Sequence, residues 1–592
     1  MDKAWLMKAW YNLKLLIEVI LFVVVFKLVF GESNTLIGVT TVTAYLMFLP
    51  YNLSVTPAKF FGKILFLNLL MGLGGFIASY NIYLALIINF IVVYMIAYGY
   101  YNSFRMEMYF PFTLQYAFIL FNPINIANDP SIVVKDLLIR LAALCICPII
   151  VVGYSVYKHR DYASKRIKNI TNLIDQLILK VEGKQNQFET TIANLKLSMF
   201  DYKADKSATS YKNNIIINVI ETLGNIYYHL NNYNDSDKYI LINYLNQLKA
   251  EVSSLSDITK FDSKDISNIN LRNNITIIDN NIKYINKKIS ITDKAKEFIE
   301  QHTYTKAKKN TGKVKRYAVE QSFAIKIAIA VSLISFISDF FHFPDGKWAV
   351  FTVISVMTPL FEKSVQKMKY RLLATIAGLF ALMVIFSIFR DSTIRLIILM
   401  LANYIHMFQT QYKYKIILVT FSAVGMLMVY NPDPVSEDIM VFVSRLVMIM
   451  VGLFIGILFN RFVFKYTLQD SIKYDLYRYL NCLEEIYTDV KVLAEDKVED
   501  HKINTRILIP NLANNNINKS IIECESNGRY TTPITPQCFE ITNNLFHYYL
   551  CIKNKLISQP EIDKIIKEVD KLGTLEYDEV PKLHQILTTQ QI

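Results

Sequence analysis

The sequence has few of the residues and motifs from which catalytic and metal sites are built. Six cysteines occur among 592 residues: Cys145 and Cys147 lie in one apolar run, and the other four are scattered towards the C-terminus. They have neither metal-ligand spacing nor a disulfide framework. A Gly-rich phosphate loop, a Gly-x-Ser-x-Gly turn and a His-Glu-x-x-His helix are all absent. We therefore expect no enzyme, no cofactor, no metal site and no ATP-driven transport by this chain alone, with thiols in a reducing compartment.

Charged residues make up only 19% of the sequence, whereas 53% of the residues are hydrophobic. No Arg-rich stretch interleaved with aromatic residues accompanies the net charge of +13, so nucleic acid is not an expected partner. The apolar excess is larger than a soluble core requires and predicts contact with a lipid bilayer. The basic and then apolar N-terminus has no small-residue cleavage site, so we expect it to form the first transmembrane helix.

Apolar runs, most of them near the length of roughly 20 residues that a bilayer requires, occur in two blocks of about six. In the first block they lie near residues 12–30, 34–50, 61–79, 82–101, 107–122 and 132–156. In the second block they lie near residues 318–342, 347–361, 371–389, 394–409, 413–430 and 438–464. The sequence thus predicts an all-α polytopic membrane protein with about twelve transmembrane helices.

The charges of the short loops predict the orientation of these helices. Loops on one side carry nine Lys and Arg residues, and loops on the other side carry three. Four of the nine are assigned to a single loop after Pro359: Lys363, Lys367, Lys369 and Arg371. Because positive loops remain in the cytoplasm, we expect a multi-pass inner-membrane protein with both termini in the cytoplasm.

Several residues of the first block recur about 309 positions later in the second. The recurring pairs are Thr43 and Thr352, Pro50 and Pro359, Asn122-Pro123 and Asn431-Pro432, and, at a slightly shorter offset, Arg140 and Arg445. An even number of spans in each block gives both copies the same orientation. The blocks are therefore predicted to be two parallel six-helix repeats, related by a pseudo-twofold axis along the membrane normal.

Two long polar regions have the apolar period of helices and are predicted to form cytoplasmic helical bundles. The predicted domains are residues 1–156, the first repeat; 157–316, a cytoplasmic helical domain; 317–465, the second repeat; and 466–592, a C-terminal cytoplasmic helical domain. Asn- and Ser-rich pieces within these regions, such as residues 253–280, are predicted to be loops. The exposed amphipathic helices predict a homo-oligomer that assembles through the cytoplasmic domains.

The second block resembles the fusaric acid resistance and aromatic acid exporter superfamily. The resemblance is carried by a basic lead-in before a span, Trp348-Ala349-Val350-Phe351-Thr352, Pro359, Arg371 with Gly378, Arg445 with Gly452 and Gly456, and Phe459-Asn460-Arg461-Phe462. The first block is degenerate: Val39 stands where the second block has Trp348, and Lys63 stands roughly where it has Arg371. The resemblance implies export of aromatic or other hydrophobic carboxylates, coupled to protons.

Candidate residues for a substrate path are those whose polarity is costly within a span. Arg140 and Arg445 can bind a carboxylate bidentately, or they snorkel to headgroups or pair with Asp136 and Asp438. Trp348 can stack on an aromatic substrate or belong to the interfacial aromatic belt. The predicted path also includes Thr352, Thr43, Asn431, Asn122 and Arg371, although turns explain the two asparagines and snorkelling explains Arg371.

Proton coupling is assigned to Glu18, Lys326 and His406. Glu18 and Lys326 occupy nearly equivalent places in the two repeats and are predicted to form an ion pair across the axis, either as a proton relay or as a static contact. The sequence thus favours a proton-coupled exporter of aromatic or amphiphilic organic anions. Two alternatives stay open: a passive anion channel, and a membrane scaffold or envelope assembly factor without transport.

Overall fold

The computed structural model describes most of the two apolar blocks and part of the polar regions. The described residues are 3–49, 53, 57–100, 108–127, 129–158, 162–199, 211–254, 261–282, 319–343, 346–409, 411–430, 435–468, 470, 471, 486, 490, 493, 546–556 and 560. Within these ranges every regular element is a helix, and no strand occurs. The all-helical prediction is confirmed.

The chain divides into two compact units. One contains Met1–Tyr157 and Lys315–Leu468, and the other contains Lys158–Val314 and Gln469–Ile592. The helices of the first unit before residue 159 are α1 (Lys3–Phe30), α2 (Thr35–Phe48), α3 (Pro57–Ala78), α4 (Ile82–Tyr100), α5 (Phe110–Phe121) and α6 (Pro130–Lys158). The two polar regions of the sequence, predicted at residues 157–316 and 466–592, thus belong almost entirely to the other unit.

The helices of the second unit that have complete bounds are α7 (Tyr162–Val181), α8 (Phe188–Met199), α9 (Tyr211–Tyr228), α10 (Asp235–Ser254) and α11 (Ile269–Ile282). The first unit then continues with α12 (Val319–Phe340), α13 (Lys347–Val356), α14 (Phe361–Ile388), α15 (Ser392–Phe408), α16 (Tyr412–Tyr430) and α17 (Val435–Phe462).

Five helical segments of the described chain are long and apolar enough to cross a bilayer: Phe60–Ala78, Ile82–Tyr100, Pro130–Lys158, Val319–Phe340 and Phe361–Ile388. Many large apolar side chains on these helices face outwards, among them Phe66, Ile87 and Phe380. An apolar exterior of this extent is stable in lipid and not in water. The first unit is therefore a membrane-embedded helical bundle.

Helices of the two apolar blocks pack on each other. α12 lies along α4, and α1 contacts α15. At the first of these contacts Tyr116 donates to Asn89 at 2.7 Å, and the Asn89 amide donates to Ser335 at 3.3 Å. At the second, the Tyr404 hydroxyl donates to the Ala9 carbonyl at 3.0 Å. The first helix of each block thus contacts the fourth helix of the other block.

The prediction of a basic loop after Pro359 is wrong. The four basic residues assigned to it lie within α14: Lys363, Lys367, Lys369 and Arg371. The turn before the helix is short, and two buried hydroxyls satisfy its backbone. The Ser364 hydroxyl accepts from the Thr358 amide at 2.7 Å, and the Thr358 hydroxyl donates to the Leu360 carbonyl at 3.0 Å. α14 consequently starts ten residues earlier than the apolar run that predicted it.

Two glycines allow close helix crossings. A Cβ at Gly378 of α14 would lie 2.8 Å from the Ile417 carbonyl oxygen of α16. A Cβ at Gly452 of α17 would lie 2.8 Å from the Ala349 carbonyl oxygen of α13 and 2.8 Å from the Thr352 Cβ. Both neighbours include backbone atoms, which cannot move aside, so glycine is required for these helices to approach so closely.

The second unit has an apolar core of its own. Its helices bury stripes with helical spacing: Leu173 and Leu177 of α7, Leu223 and Ile226 of α9, Leu241 and Leu245 of α10, and Leu271 and Ile278 of α11. α11 lies in a stretch that was predicted to be a loop. The prediction was wrong because it was based on the many asparagines and overlooked an apolar stripe with helical spacing: Leu271, Ile275, Ile278 and Ile282.

A buried histidine and cysteine share one helix of the second unit, at residues 546–553. The Sγ of Cys551 lies 3.4 Å from the Nε2 of His547, one turn away. Burial, together with the charge of His229, lowers the pKa of His547 to about 4, and burial raises the pKa of Cys551 to about 12. Both side chains are therefore neutral at physiological pH.

Candidate anion-binding site

One face of α14 carries a ladder of polar side chains from its N-terminal end inwards. Lys367, Arg371 and Thr375 succeed one another at intervals of four residues, and Gly378 continues the same face. The Lys367 ammonium lies over the Tyr412 ring of α16, 5.6 Å from its centre. The ladder thus runs from the N-terminal end of α14 into the bundle.

Arg371 is the central residue of this ladder. Its side chain is only 5% exposed, and its Nε is buried and has no hydrogen-bond partner among the described residues. The guanidinium carbon lies 5.6 Å from the centre of the Phe351 ring of α13. Among the described residues no carboxylate forms an ion pair with this buried cation, and a carboxylate is the anion that its fork of donors fits best.

Four aromatic rings from α5 and α13 form a cluster beside this guanidinium. Phe351 lies 5.9 Å from Phe118 and 5.7 Å from Trp348, measured between ring centres. Phe121 lies 5.9 Å from Trp348 in an edge-to-face contact. We call these four rings the aromatic cluster. Since α5 belongs to the first block and α13 to the second, the cluster joins the two blocks.

Two hydroxyls extend the polar surface beyond Arg371. Thr375 of α14 and Thr420 of α16 are buried, and the Oγ1 of each has no hydrogen-bond partner among the described residues. Thr420 lies at the close crossing, where a Cβ on Gly378 would be 3.3 Å from its Cβ. Buried hydroxyls without partners are costly, so they indicate a place where water or a polar ligand is bound.

Farther along α14 the interior becomes apolar. The buried residues of this region are Leu379, Leu382, Phe386, Leu399, Ala402, Phe421 and Val424. Beyond them Arg395 closes the end of α14, because its guanidinium donates to the Phe386 carbonyl at 3.0 Å and to the Phe389 carbonyl at 2.8 Å. The polar ladder therefore ends at a packed apolar cluster.

Lys63, the counterpart of Arg371 in the first block, makes different contacts. The Lys63 ammonium donates to the Gly99 carbonyl at the end of α4 and lies 5.0 Å from the centre of the Tyr100 ring. A lysine at the last carbonyls of a helix satisfies acceptors that have no partner in the helix. Lys63 therefore has a structural role as a helix cap.

Arg140 of α6 is buried near the start of α2. Its Nε donates to the Asn34 Oδ1 at 3.3 Å, while its Nη1 is buried without a hydrogen-bond partner among the described residues. The Asn34 amide in turn donates to the Phe30 carbonyl at 2.9 Å. Arg140 thus has an ordered partner and one donor left for an anion, and its predicted place on the substrate path stays a prediction.

The two threonines of the predicted path donate to their own helices. The Thr352 hydroxyl donates to the Trp348 carbonyl at 2.8 Å, and the Thr43 hydroxyl donates to the Val39 carbonyl at 2.9 Å. Asn122 lies at the C-terminal end of α5, where its backbone N–H donates to the Phe118 carbonyl. Asn431 and the side chain of Arg445 lie outside the described residues.

The residues predicted to couple transport to protons lie in different environments. Lys326 of α12 is 1% exposed, and its ammonium lies 5.9 Å from the centre of the Phe323 ring. Glu18 of α1 faces outwards and lies 3.8 Å from the Lys14 ammonium. The predicted ion pair between Glu18 and Lys326 is therefore not formed, because Glu18 is on the open face of its helix. His406 is half-buried in the last turn of α15.

Residues 331–459 match the family described as fusaric acid resistance protein-like. This segment, which we call the fusaric acid resistance-like domain, is similar to that family and makes up most of the second block. It contains Arg371, Phe351 and Thr375, and it confirms the resemblance that the second block carries. No curated protein and no solved structure matches the chain. The family and the apolar helices together make this a multi-pass membrane protein and indicate a membrane transporter or exporter.

The sequence analysis named Trp348 of the aromatic cluster as a site residue, but it missed Phe118 and Phe121 and the two unpartnered threonines. Phe118 stands in an apolar run that has many aromatic residues, so nothing distinguishes it in the sequence. Thr375 had a usable signal, since it follows Arg371 by four residues and must share its face on a helix. That signal was lost because Arg371 was assigned to a loop.

Proposed function

We propose that this protein exports organic anions that carry an aromatic ring, with Arg371 binding the carboxylate and the aromatic cluster binding the ring. The single observation that carries the proposal is the buried guanidinium beside the Phe351 ring, with its Nε unpartnered among the described residues. A carboxylate supplies the missing charge and acceptors, and an aromatic ring of the same molecule is held by stacking against Phe118 or Trp348.

Lys367 supports the proposed direction of transport. It lies one turn before Arg371 and one turn after Lys363 on the same face of α14, at the end of the helix that loop charge assigns to the cytoplasm. Positive residues at the mouth of a cleft raise the local concentration of anions. A substrate therefore enters from the cytoplasm, passes Lys367 and reaches Arg371.

A gated transporter suits this arrangement better than an open anion channel. The ladder ends at the apolar cluster around Leu382 and Phe386, which would have to open before an anion could leave on the far side. In the proposed cycle the two blocks are parallel repeats that rock about the aromatic cluster. The inner-membrane location and the cytoplasmic termini belong to the same proposal.

Lys326 is the group that we propose for proton coupling. Its buried ammonium has no carboxylate partner among the described residues, so it is costly when charged, and in that form it favours an entering anion. Binding of the anion and protonation of Lys326 would then support each other, so this site would move an anion and a proton in the same direction, and efflux would be fastest when the pH is lower on the substrate side. His406 is the second candidate for the proton path.

The experiment is efflux of a panel of aromatic and aliphatic carboxylates from sealed vesicles that contain the purified protein, with and without an imposed pH gradient. The exporter predicts transport of aromatic carboxylates that requires the gradient and is lost in Arg371→Gln. Flux that follows the anion gradient and ignores the pH gradient would instead identify a channel. Absence of all transport, with Arg371→Gln behaving as wild type in cells, would favour the scaffold.

A further inference from the structure

α1 presents an unusual face to the outside of the first unit. Seven of its side chains that are at least half exposed follow the alternating three- and four-residue steps of a coiled-coil seam: Met7, Trp10, Lys14, Ile17, Leu21, Val24 and Leu28. We call these residues the α1 seam. The opposite side of the helix faces the protein, where Asn12 and Phe26 are buried.

Lys14 lies on this seam and Glu18 lies beside it, at a depth where the hydrocarbon of lipid solvates charge poorly. Lys14 and Glu18 form an ion pair whose side chains are 70% and 58% exposed. Glu18 is thirteen residues before Gly31, where α1 turns back towards α2, and thirteen residues of helix rise about 20 Å. With Gly31 placed at the outer surface of a hydrocarbon layer about 30 Å thick, Glu18 would lie roughly 10 Å from the inner surface.

Helix tilt does not remove the problem, because a tilted helix would place Glu18 still farther from the inner surface. Trp10 and Tyr11 are exposed one to two turns before the charged pair, as expected of the aromatic belt at that surface. Ionisable side chains at this depth almost always face other protein groups. The exposed ion pair therefore indicates that a protein surface covers the α1 seam.

The corresponding helix of the second block shows how such a position is normally enclosed. Lys326 of α12 is offset by 308 residues from Glu18, and it is buried because α12 lies along α4. α1 contacts α15 near Ala9, and its seam stays open. Within the described parts of the chain, no helix covers the α1 seam in the way that α4 covers Lys326.

We propose that the α1 seam pairs with the α1 seam of a second copy of this chain, in parallel and about a twofold axis along the membrane normal. The seam has the apolar residues that parallel helix pairs use, with one lysine among the positions that face the axis and a glutamate flanking it. Lys14 of one copy can then also reach Glu18 of the other, so that the ion pair that each chain forms on its own is shielded from lipid. This pairing is independent of the proposed transport activity.

Oxidative crosslinking tests the geometry directly. Single cysteines are placed at positions 13–25 and 28 of the full chain in native membranes, and the wild type with its own six cysteines gives the baseline. A disulfide needs Cα atoms within about 7 Å, so dimers should form strongly at the seam positions 14, 17, 21, 24 and 28. The matched controls Val19→Cys and Val23→Cys, on partly buried positions of the same helix, should stay at the baseline.

A charge swap tests the chemistry of the contact. Lys14→Glu places like charges together and should reduce the dimer fraction at least tenfold, counted by single-molecule photobleaching in dilute vesicles. Lys14→Glu combined with Glu18→Lys should restore most of it. Single-step bleaching of the wild type with no crosslink along the seam would mean that lipid alone covers this face, and would overturn the proposal. Crosslinks only to a protein of different mass would also overturn it.

Discussion

In the fusaric acid resistance-like domain the guanidinium carbon of Arg371 lies 5.6 Å from the centre of the Phe351 ring, and the Nε of the arginine is buried without a hydrogen-bond partner among the described residues. Few positions in a folded protein leave an arginine donor so incompletely satisfied. Two adjacent helices thus place a cation, which can bind the carboxylate of the proposed substrate, beside a ring that can contact its aromatic part.

Replacing Arg371 by lysine should raise the KM for aromatic carboxylates about tenfold, because lysine keeps the charge and loses the bidentate geometry. Arg371→Gln should abolish saturable transport. Arg395 is a matched control, since its guanidinium also lies over a ring, that of Phe386, at 4.7 Å, but its donors are bound to carbonyls. Vesicle efflux with equal amounts of protein measures all three variants. An Arg395→Gln variant as defective as Arg371→Gln would contradict the assignment.

Phe351→Leu should weaken transport of aromatic carboxylates about three- to tenfold, which corresponds to a lost aromatic contact of about 0.5–1.5 kcal/mol. Aliphatic carboxylates of similar size should be transported as before. The exposed pair of Arg461 and Phe462, with 5.8 Å between guanidinium carbon and ring centre, offers Phe462→Leu as the control. Competition assays on both substrate classes give the comparison. An equal loss for both classes would mean that Phe351 only supports the fold.

Lys326→Met should remove the dependence of transport on the pH gradient while the protein stays folded, because methionine keeps most of the volume of the side chain and cannot carry a proton. Glu18→Gln should leave the coupling intact, since Glu18 faces outwards beside Lys14. Proton flux that accompanies substrate flux is measured with a pH-sensitive dye inside the vesicles. Normal coupling in Lys326→Met together with its loss in Glu18→Gln would reverse the assignment.

Gly452→Ala should destabilise the domain by about 1–3 kcal/mol, because the added Cβ would meet the Ala349 carbonyl oxygen at 2.8 Å. Gly153→Ala is the control within another apolar helix, α6, where nothing lies within 4 Å of the added atom and alanine favours the helix. Thermal unfolding in detergent compares the two variants. Equal melting temperatures would show that α13 and α17 are free to separate.

The second unit should lose stability as the pH falls from about 6.5 to about 4. Burial lowers the pKa of His547 to about 4, so the folded state resists a proton that the unfolded chain accepts near pH 6.5. The contribution of His547 is fully present above that pH and is lost as the pH falls towards its folded pKa. At pH 5 the opening of this region should increase roughly 30-fold.

Hydrogen exchange of the helix at residues 546–553, corrected for intrinsic rates, measures this opening at pH 7 and pH 5. His547→Phe has no titrating group at this position, so the change between the two pH values should be much smaller. If the variant and the wild type respond equally, other groups determine the acid sensitivity of the unit.

Much of this protein follows from local composition and period. Apolar runs such as that of α4 can only be buried in lipid or a core, and stripes such as that of α9 can only pack as helices, so the helical membrane fold was predictable. Arg371 was also named from its place in the chain. α14 was predicted ten residues short, because charged residues at a helix start look like a loop when apolarity alone defines the span.

The partners of each residue were decided by tertiary structure alone. Arg371 and Lys63 occupy similar places in the two blocks. Arg371 lies beside an aromatic ring and has a donor without a partner in the described part of the chain, whereas Lys63 caps α4. Glu18 and Lys326 are likewise equivalent in the sequence, but α4 covers one helix and leaves the other open. The sequence by itself determined which side chains are costly in a membrane. The packing of distant helices decided which of them were paired, enclosed or left to bind something else.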